Sequence, residues 1–300
     1  MTHPLVELSV IIVNWNGGDL VPACLQSLAA ATQGRPAETW LVDNASTDGS
    51  ADRAVRDFPH VRLIRNSKNE GFARAANAAL AHTSGEFLLL LNPDVQIGAD
   101  SLNRVLDAMR SDVKIGIAGC PSVDANGRQV PGYETSYPGQ RRENVPAKDG
   151  QARDVAWVSG ACLFARRELL ADIGLLDPEF FMYYEDVDWC YRARASGWRV
   201  VSVPDVAVRH DLGGSSAQVG QAETERRQAL SRLRFYRKHY SAGRAQLLAL
   251  RMALSALPRI LLRLPPALFS AATRQAMGAD LARFRVAVVA GLTITRANQR

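Results

Sequence analysis

The chain is poor in cysteine. Cys24, Cys120, Cys162 and Cys190 are widely spaced, with no C-x-x-C pair and no Cys/His cluster. That pattern excludes a disulfide framework and reads as buried free thiols in a reducing compartment. There is no G-x-G-x-x-G and no G-x-x-x-x-G-K-[ST], which removes dinucleotide-binding and Walker-type readings. The first apolar run, Leu8 to Val13, stops at Asn14 and Asn16, too soon for a signal peptide or a spanning helix. No later apolar stretch is expected to cross a bilayer, so the expected location is cytoplasmic. Acid is nearly missing from the last quarter: Arg226 to Arg300 holds fifteen Lys/Arg against Asp280 alone, a net +14, while residues 1–225 carry −8. A basic tail on an acidic body needs an anionic partner, a membrane surface or nucleic acid.

An apolar share of 47% against 22% charged residues makes the chain an ordinary globular one. Short apolar runs alternate with helical segments: strands at Leu8–Asn14, Thr39–Asp43, Val61–Arg65 and Phe87–Leu91, helices near Leu20–Ala31, Ser50–Asp57, Phe72–His82 and Asp100–Met109. Near-continuous apolar strands in βαβα order predict a doubly wound, mostly parallel α/β sheet. In such sheets ligands bind beyond the carboxyl ends of the strands. Asp124–Arg128 reads as a hairpin turn, Gly132–Arg153 as a surface loop, Val155–Arg166 as a strand and Glu185–Ser196 as a helix. Short strands follow at Val200–Val203 and at Val206–Val208, the latter ending at His210. After Gly213-Gly214 the chain reads as amphipathic helix, broken at Pro258 and Pro265-Pro266.

Several strand-end clusters could carry chemistry. Asn14 to Gly18 is either the mouth of a nucleotide site or an ordinary turn. Asp43 could accept the imide N–H of a pyrimidine base, with Asp48 as a helix cap. Gly71 permits close backbone approach, and Arg74 stands where a helix N-terminus holds phosphate or is a solvated surface residue. Asn92-Pro93-Asp94 delivers a carboxylate suited to a hard cation, or caps a turn. Glu185, Asp186 and Asp188 cluster at a helix start after four apolar residues, which suits a positioned base; Asp188 is the one expected to serve structure. His210 ends the last strand, where a structural role and a ligand role both remain open.

Taken in order, VIIVNWNG (Val10–Gly17), VDNASTDGS (Val42–Ser50), NSKNEGFARAAN (Asn66–Asn77), LLNPDV (Leu90–Val95), SGACLFARR (Ser159–Arg167), GLLDPEFFMYYEDVDWCYR (Gly174–Arg192) and VRHDLGGSS (Val208–Ser216) resemble the family 2 inverting glycosyltransferases, particularly their rhamnosyltransferase-like branch. The resemblance runs from about Ser9 to Ser216. It implies a GT-A fold, an NDP-sugar donor and a divalent metal, Mg2+ or Mn2+. Carried over, Asp186 is the base, with Glu185 beside it. Asp94 faces the metal, and His210 assists it. Val13, Asn14, Asn16, Asp43, Asn69, Gly71, Phe72, Arg74 and Asn92 surround the nucleotide. Ser159, Gly160 and Trp189 lie near sugar and acceptor. One departure stands out: the usual Asp-x-Asp is Asn92-Pro93-Asp94 here, leaving one carboxylate.

The expected organisation is a catalytic domain over residues 1–220, split near 115 into nucleotide and acceptor halves, and a basic helical extension over 221–300. The first donor expected is dTDP-rhamnose, the acceptor a lipid-linked or polysaccharide glycan of the cell envelope. The tail is expected at the inner face of the membrane, with packing on the enzyme or on a second copy as the other reading; nucleic acid is set aside for want of a binding motif. A pyrophosphorylase is set aside because no Gly-rich loop with early Arg and Lys follows the first strand. A catalytically inactive sugar-nucleotide-binding scaffold remains as the second class.

Overall fold

Apolar strands without polar alternation need cover on both faces, and the first half of the chain supplies it by alternating strand with helix. The computed structural model describes residues 6–141, 150–210, 219–267 and 270–297. It begins with β1 (Leu8–Asn14), α1 (Leu20–Ala31), β2 (Ala37–Asp43), α2 (Ser50–Asp57), β3 (Arg62–Arg65), α3 (Phe72–Leu80) and β4 (Phe87–Leu91). Next come β5 (Val95–Gln96), α4 (Ala99–Ser111), β6 (Ile115–Gly119), β7 (Ser122–Val123), β8 (Gln129–Val130), β9 (Tyr133–Glu134), β10 (Arg153–Asp154) and β11 (Trp157–Val158). Then follow β12 (Cys162–Arg166), α5 (Leu169–Ile173), α6 (Glu185–Ala195), β13 (Arg199–Ser202) and β14 (Val208–His210).

Eight strands form one sheet in the order β10-β13-β6-β12-β4-β1-β2-β3. β1 runs parallel to β2 and β4, β2 to β3, and β6 to β13. The expected mostly parallel sheet is present, with β12 inserted antiparallel between β4 and β6. That insertion matters for the site. It sets Cys162 opposite Leu91, so the turn before β12 lies at the carboxyl end of β4. A second sheet, β5-β14-β7-β8, pairs His210 with Val95. Leu8, Val10, Ile12, Leu41, Phe87, Leu89 and Phe164 anchor the core that α1 and α4 cover.

Two expectations change here and one is met. Val155–Arg166 is not one strand: it breaks at Ser159–Ala161 into β11 and β12, which join different sheets. The expected loop at 132–153 contains β9 and ends in β10, although residues 142–149 lie outside the described residues. The hairpin at Asp124 forms, with the Asp124 carboxylate accepting the N–H groups of Asn126 and Arg128 at 2.9 Å each. The Gly213-Gly214-Ser215-Ser216 end of the last motif also falls outside the described residues.

By contact, the chain divides into Met1–Glu179 with Glu185–Gly214, and Phe180–Tyr184 with Ser215–Arg300. The second unit holds α7 (Gln221–His239), α8 (Ala242–Ala267) and α9 (Ala271–Ala297). Within it, Ser231 Oγ donates to Met182 O at 2.8 Å, and Arg227 stacks over Phe181 at 5.0 Å. Tyr183 and Tyr184 both adopt left-handed backbone (φ 68° and 69°). The expected breaks at Pro258 and Pro265-Pro266 do not occur, since α8 continues through both. Pro258 is exposed, and the carbonyl it leaves without an intrahelical donor can turn toward solvent. The expectation about spanning also changes. Ala242–Arg263, with mean hydropathy 1.4, is long and apolar enough to cross a membrane by length and composition.

Candidate functional site

At the ends of β1 and β2, Asn14 stands opposite Asp43. Asn14 Oδ1 accepts the Gly17 N–H at 3.0 Å, while its Nδ2 donates to Ser50 Oγ at 2.8 Å and Ser46 Oγ at 3.2 Å. Asp43 accepts the Ser46 N–H at 2.9 Å and Arg65 Nη1 at 3.2 Å. Asp48 accepts the N–H of Ser50, the first residue of α2, and also the Gly18 N–H at 2.8 Å. Burial works against its ionised form, but these donors outweigh it and hold the carboxyl below the usual range. Asn16 adopts φ 53° and accepts the Thr47 N–H at 2.7 Å. Asn44 ties in the third loop: its Oδ1 accepts from Asn66 Nδ2 and the Glu70 N–H, and its Nδ2 donates to Asn69 Oδ1, all at 3.0 Å. Asn69 Oδ1 also accepts the Gly71 N–H. Gly71 sits at φ 83°, a conformation side chains resist, and opens α3. Arg74, in the first turn of α3, is exposed and has no partner among the described residues.

The opposite corner is built differently. Asn92 donates its N–H to Ala161 O at 2.8 Å. One residue earlier in that turn, the Gly160 N–H donates to Asp186 Oδ2 at 2.8 Å. The turn therefore joins the Asn92–Asp94 strand end to the first turn of α6. A Cβ on residue 160 would stand 3.3 Å from Asp186 Cβ, so glycine allows the approach. Asp186 is half-buried, and burial raises its carboxyl pKa against the Gly160 and Val187 amides, which favour the ionised form. Glu185 is buried, and burial followed by the Asp186 charge pushes it well above the carboxylate range. Its Oε2 has no hydrogen-bond partner among the described residues. Asp188 is fully buried and pairs with Arg192 Nε at 2.8 Å, the structural role expected of it.

His210 Nε2 lies 3.3 Å from Asp94 Oδ1, yet that buried oxygen accepts no hydrogen bond among the described residues. An orphaned carboxylate oxygen beside an imidazole nitrogen fits a divalent cation. No group of three or more His/Cys/Asp/Glu surrounds it among the described residues, so a ligand would supply the other oxygens. Beside His210 opens a cavity of about 290 Å³, lined among others by Ser159, Cys120, Cys162, Tyr133 and Trp157. Trp157 Nε1 is buried and has no partner among the described residues.

Two of the expected residues are packed into the protein rather than open to the crevice. Trp189 is fully buried and donates its indole N–H to Gly174 O at 3.0 Å. Asn14 is fully buried with both ends of its amide engaged in loop closure. Val13 and Phe72 are buried as well. Sequence reasoning missed Tyr133, Glu134 and Trp157, which sit in two-residue strands with no periodic signal. It also gave no network role to Asn44 or Ser46.

A mixed α/β sheet with a hydrogen-bonded loop corner at the ends of β1 and β2 and a carboxylate corner at the end of β4 has the architecture of a GT-A fold. Comparison with known proteins agrees. A Glycosyl transferase family 2 model matches residues 9–174, so the chain belongs to that family. It is 32% identical over 246 residues to the N-acetylglucosaminyl-diphospho-decaprenol L-rhamnosyltransferase of Mycobacterium tuberculosis, covering 70% of this chain and 78% of that one. It is 24% identical over 184 residues to the dTDP-rhamnosyl transferase RfbF of Shigella flexneri, covering 60% and 61%. The mannosyltransferase PcManGT of Pyrobaculum calidifontis, in complex with GDP-Man and Mn2+, shares the fold at TM-score 0.59 and 18% identity, over 95% of this chain and 87% of that one. The protein is thus an NDP-sugar-dependent glycosyltransferase of the inverting kind.

Proposed function

We propose that the enzyme transfers rhamnose from dTDP-rhamnose to a hydroxyl of a lipid-linked glycan at the cytoplasmic face of the cell membrane. The two rhamnosyltransferase relatives support the donor and the class of acceptor. Four buried free thiols suit a reducing compartment. The observation that carries the reading is the Ser159–Ala161 turn, hydrogen-bonded to Asp186 on one side and to Asn92 on the other. It favours a base and a phosphate-facing carboxylate working on one substrate, as an inactive scaffold would not require.

In this reading the base meets Asp43 and the diphosphate lies across Gly71 and Arg74. Arg74 stabilises charge on the departing nucleoside diphosphate. Asp94 and His210 would hold a divalent cation, Mg2+ or Mn2+, which when bound supplies further neutralisation of that diphosphate. Asp186 takes the proton of the acceptor hydroxyl as its oxygen bonds to the anomeric carbon and the bond to diphosphate breaks, so configuration inverts. Burial and then the neighbouring Asp186 charge favour the protonated form of Glu185, leaving Asp186 as the carboxylate that takes the proton. Ser159 and the cavity beside it hold the sugar, the apolar share of the lining suiting a 6-deoxy carbon. A thermal-shift screen of dTDP-, UDP- and GDP-sugars with and without Mn2+, followed by transfer to a lipid-diphosphate sugar, tests the reading. Stabilisation by dTDP-rhamnose and a rhamnosylated product support it; a preference for another donor overturns that choice while leaving the transferase class intact.

A further inference from the structure

In α8 the usual placement of large and small apolar residues is reversed. Its buried positions are mostly small: Ala245, Ala249, Ala253 and Ala256, with Leu248 and Met252. Its open positions are leucines: Leu247 is 53% exposed, Leu254 54%, Leu261 63% and Leu262 76%, with Leu250 and Leu257 between them. A helix stabilised only by a water-facing fold would turn its leucines inward, at about 1.5–3 kcal/mol for each one fully buried. Alanines on the packed face let helix backbones approach closely and leave the bulky residues to meet another phase.

The charge around this face selects the phase. Arg244 and Arg251 are exposed on the same helix, and Arg285 is exposed on α9. The single acid between Arg226 and Arg300, Asp280, is buried and paired with Arg263. Just upstream, Glu223 bonds Arg226 and Arg227, and Glu225 pairs with Arg283. Leu247, Leu250, Leu254, Leu257 and Leu261 also follow the 3-4 spacing of a coiled-coil seam. A seam between two copies, however, needs acids opposite these arginines, and the helix has none. Exposed leucines on a helix that also exposes Arg244 and Arg251 and carries no acid match an anionic headgroup layer over hydrocarbon.

We propose that the leucine face of α8 seats in the headgroup–acyl boundary of an anionic bilayer, holding the enzyme beside the membrane without spanning it. This deepens the membrane reading above, and its test involves no glycosyl transfer, so its failure leaves the transferase assignment standing. The experiment is co-sedimentation of the full chain with phosphatidylglycerol/phosphatidylcholine vesicles and with pure phosphatidylcholine vesicles. Wild type and a Leu250→Glu/Leu254→Glu double variant are compared, with thermal melts run on both. Both changed positions are exposed, so the melts should coincide. The wild type should bind the anionic vesicles, release in high salt and be extracted by alkaline carbonate. The double variant should bind at least ~tenfold more weakly. Equal binding by the variant, or no preference for anionic lipid, overturns the proposal. Retention through carbonate would show a spanning helix instead. A dimer seen by light scattering and lost in the variant would show a protein–protein seam. Either result also overturns it.

Discussion

The two corners of the strand-end site are built on opposite principles. At the corner proposed to bind the nucleotide, Asn14, Asp43, Asn44, Asp48 and Asn69 bond across the loops that follow β1, β2 and β3. At the corner proposed to react, Asp94 Oδ1 and Glu185 Oε2 are buried without hydrogen bonds among the described residues, and burial raises the carboxyl pKa of Asp186. A closed network makes a rigid mould whose removal costs stability. Buried carboxylates left open cost stability where they stand and return it when a proton, a cation or a substrate arrives. The difference separates groups that shape the site from groups that react in it.

If that division is right, the largest effect belongs to Asp186. Asp186→Asn keeps the shape and removes the basicity, and kcat should fall roughly 10²–10⁴-fold. Asp94→Ala comes next, with transfer lowered roughly 10²–10³-fold and the Mn2+-dependent part of the donor thermal shift lost. EDTA should imitate it in the wild type; full activity in EDTA would remove the cation from the account. On the nucleotide side, Asn44→Ala should act on folding instead. It strips partners from Asn66, Asn69 and the Glu70 N–H, and should cost about 1–3 kcal/mol in urea denaturation while the folded fraction keeps its kcat. A loss of kcat without loss of stability would break the comparison.

The smallest effect concerns pH. A carboxyl whose folded pKa is raised binds more protons folded than unfolded, starting at its ordinary value of about 4. Its stabilisation is complete below that value and is lost as pH rises through the raised one. Glu185 should therefore lower wild-type stability toward neutral pH. Glu185→Gln should gain in melting temperature relative to wild type as pH rises, and a difference independent of pH would contradict the raised pKa. For catalysis the sign is reversed, because Asp186 works ionised. The wild-type rate should fall on the acid side with an apparent pKa above that of a free aspartate.

The sheet was legible because FLLLL and VIIV leave no polar face, and strands of that kind lie inside parallel sheets. Strand ends then drew attention to Asp43 and Asp94, and the acidic cluster at the start of a helix to Asp186. Two things were not legible. Tyr133 and Trp157 reach the cavity through two-residue strands, with Tyr133 paired to Val158, a partner far along the chain that no local pattern announces. The packing of Trp189 was not legible because α6 buries Glu185, Val187, Asp188, Trp189, Cys190 and Ala193, and so has no single apolar stripe to tell a lining residue from a packed one. The loop-closing bonds of Asn14 were hidden for a related reason: an asparagine at a strand end looks the same in sequence whether its amide faces a ligand or closes a loop.

The central claim, that one corner binds and the other reacts, is tested most directly by measuring donor Kd and kcat together for Asp43→Asn and Asp186→Asn at saturating Mn2+. Asp43→Asn should weaken the donor about tenfold and leave kcat nearly unchanged, the signature of uniform binding. Asp186→Asn should do the reverse, losing kcat at near wild-type Kd. Wild-type kcat in Asp186→Asn, or a loss confined to its donor affinity, would contradict the account.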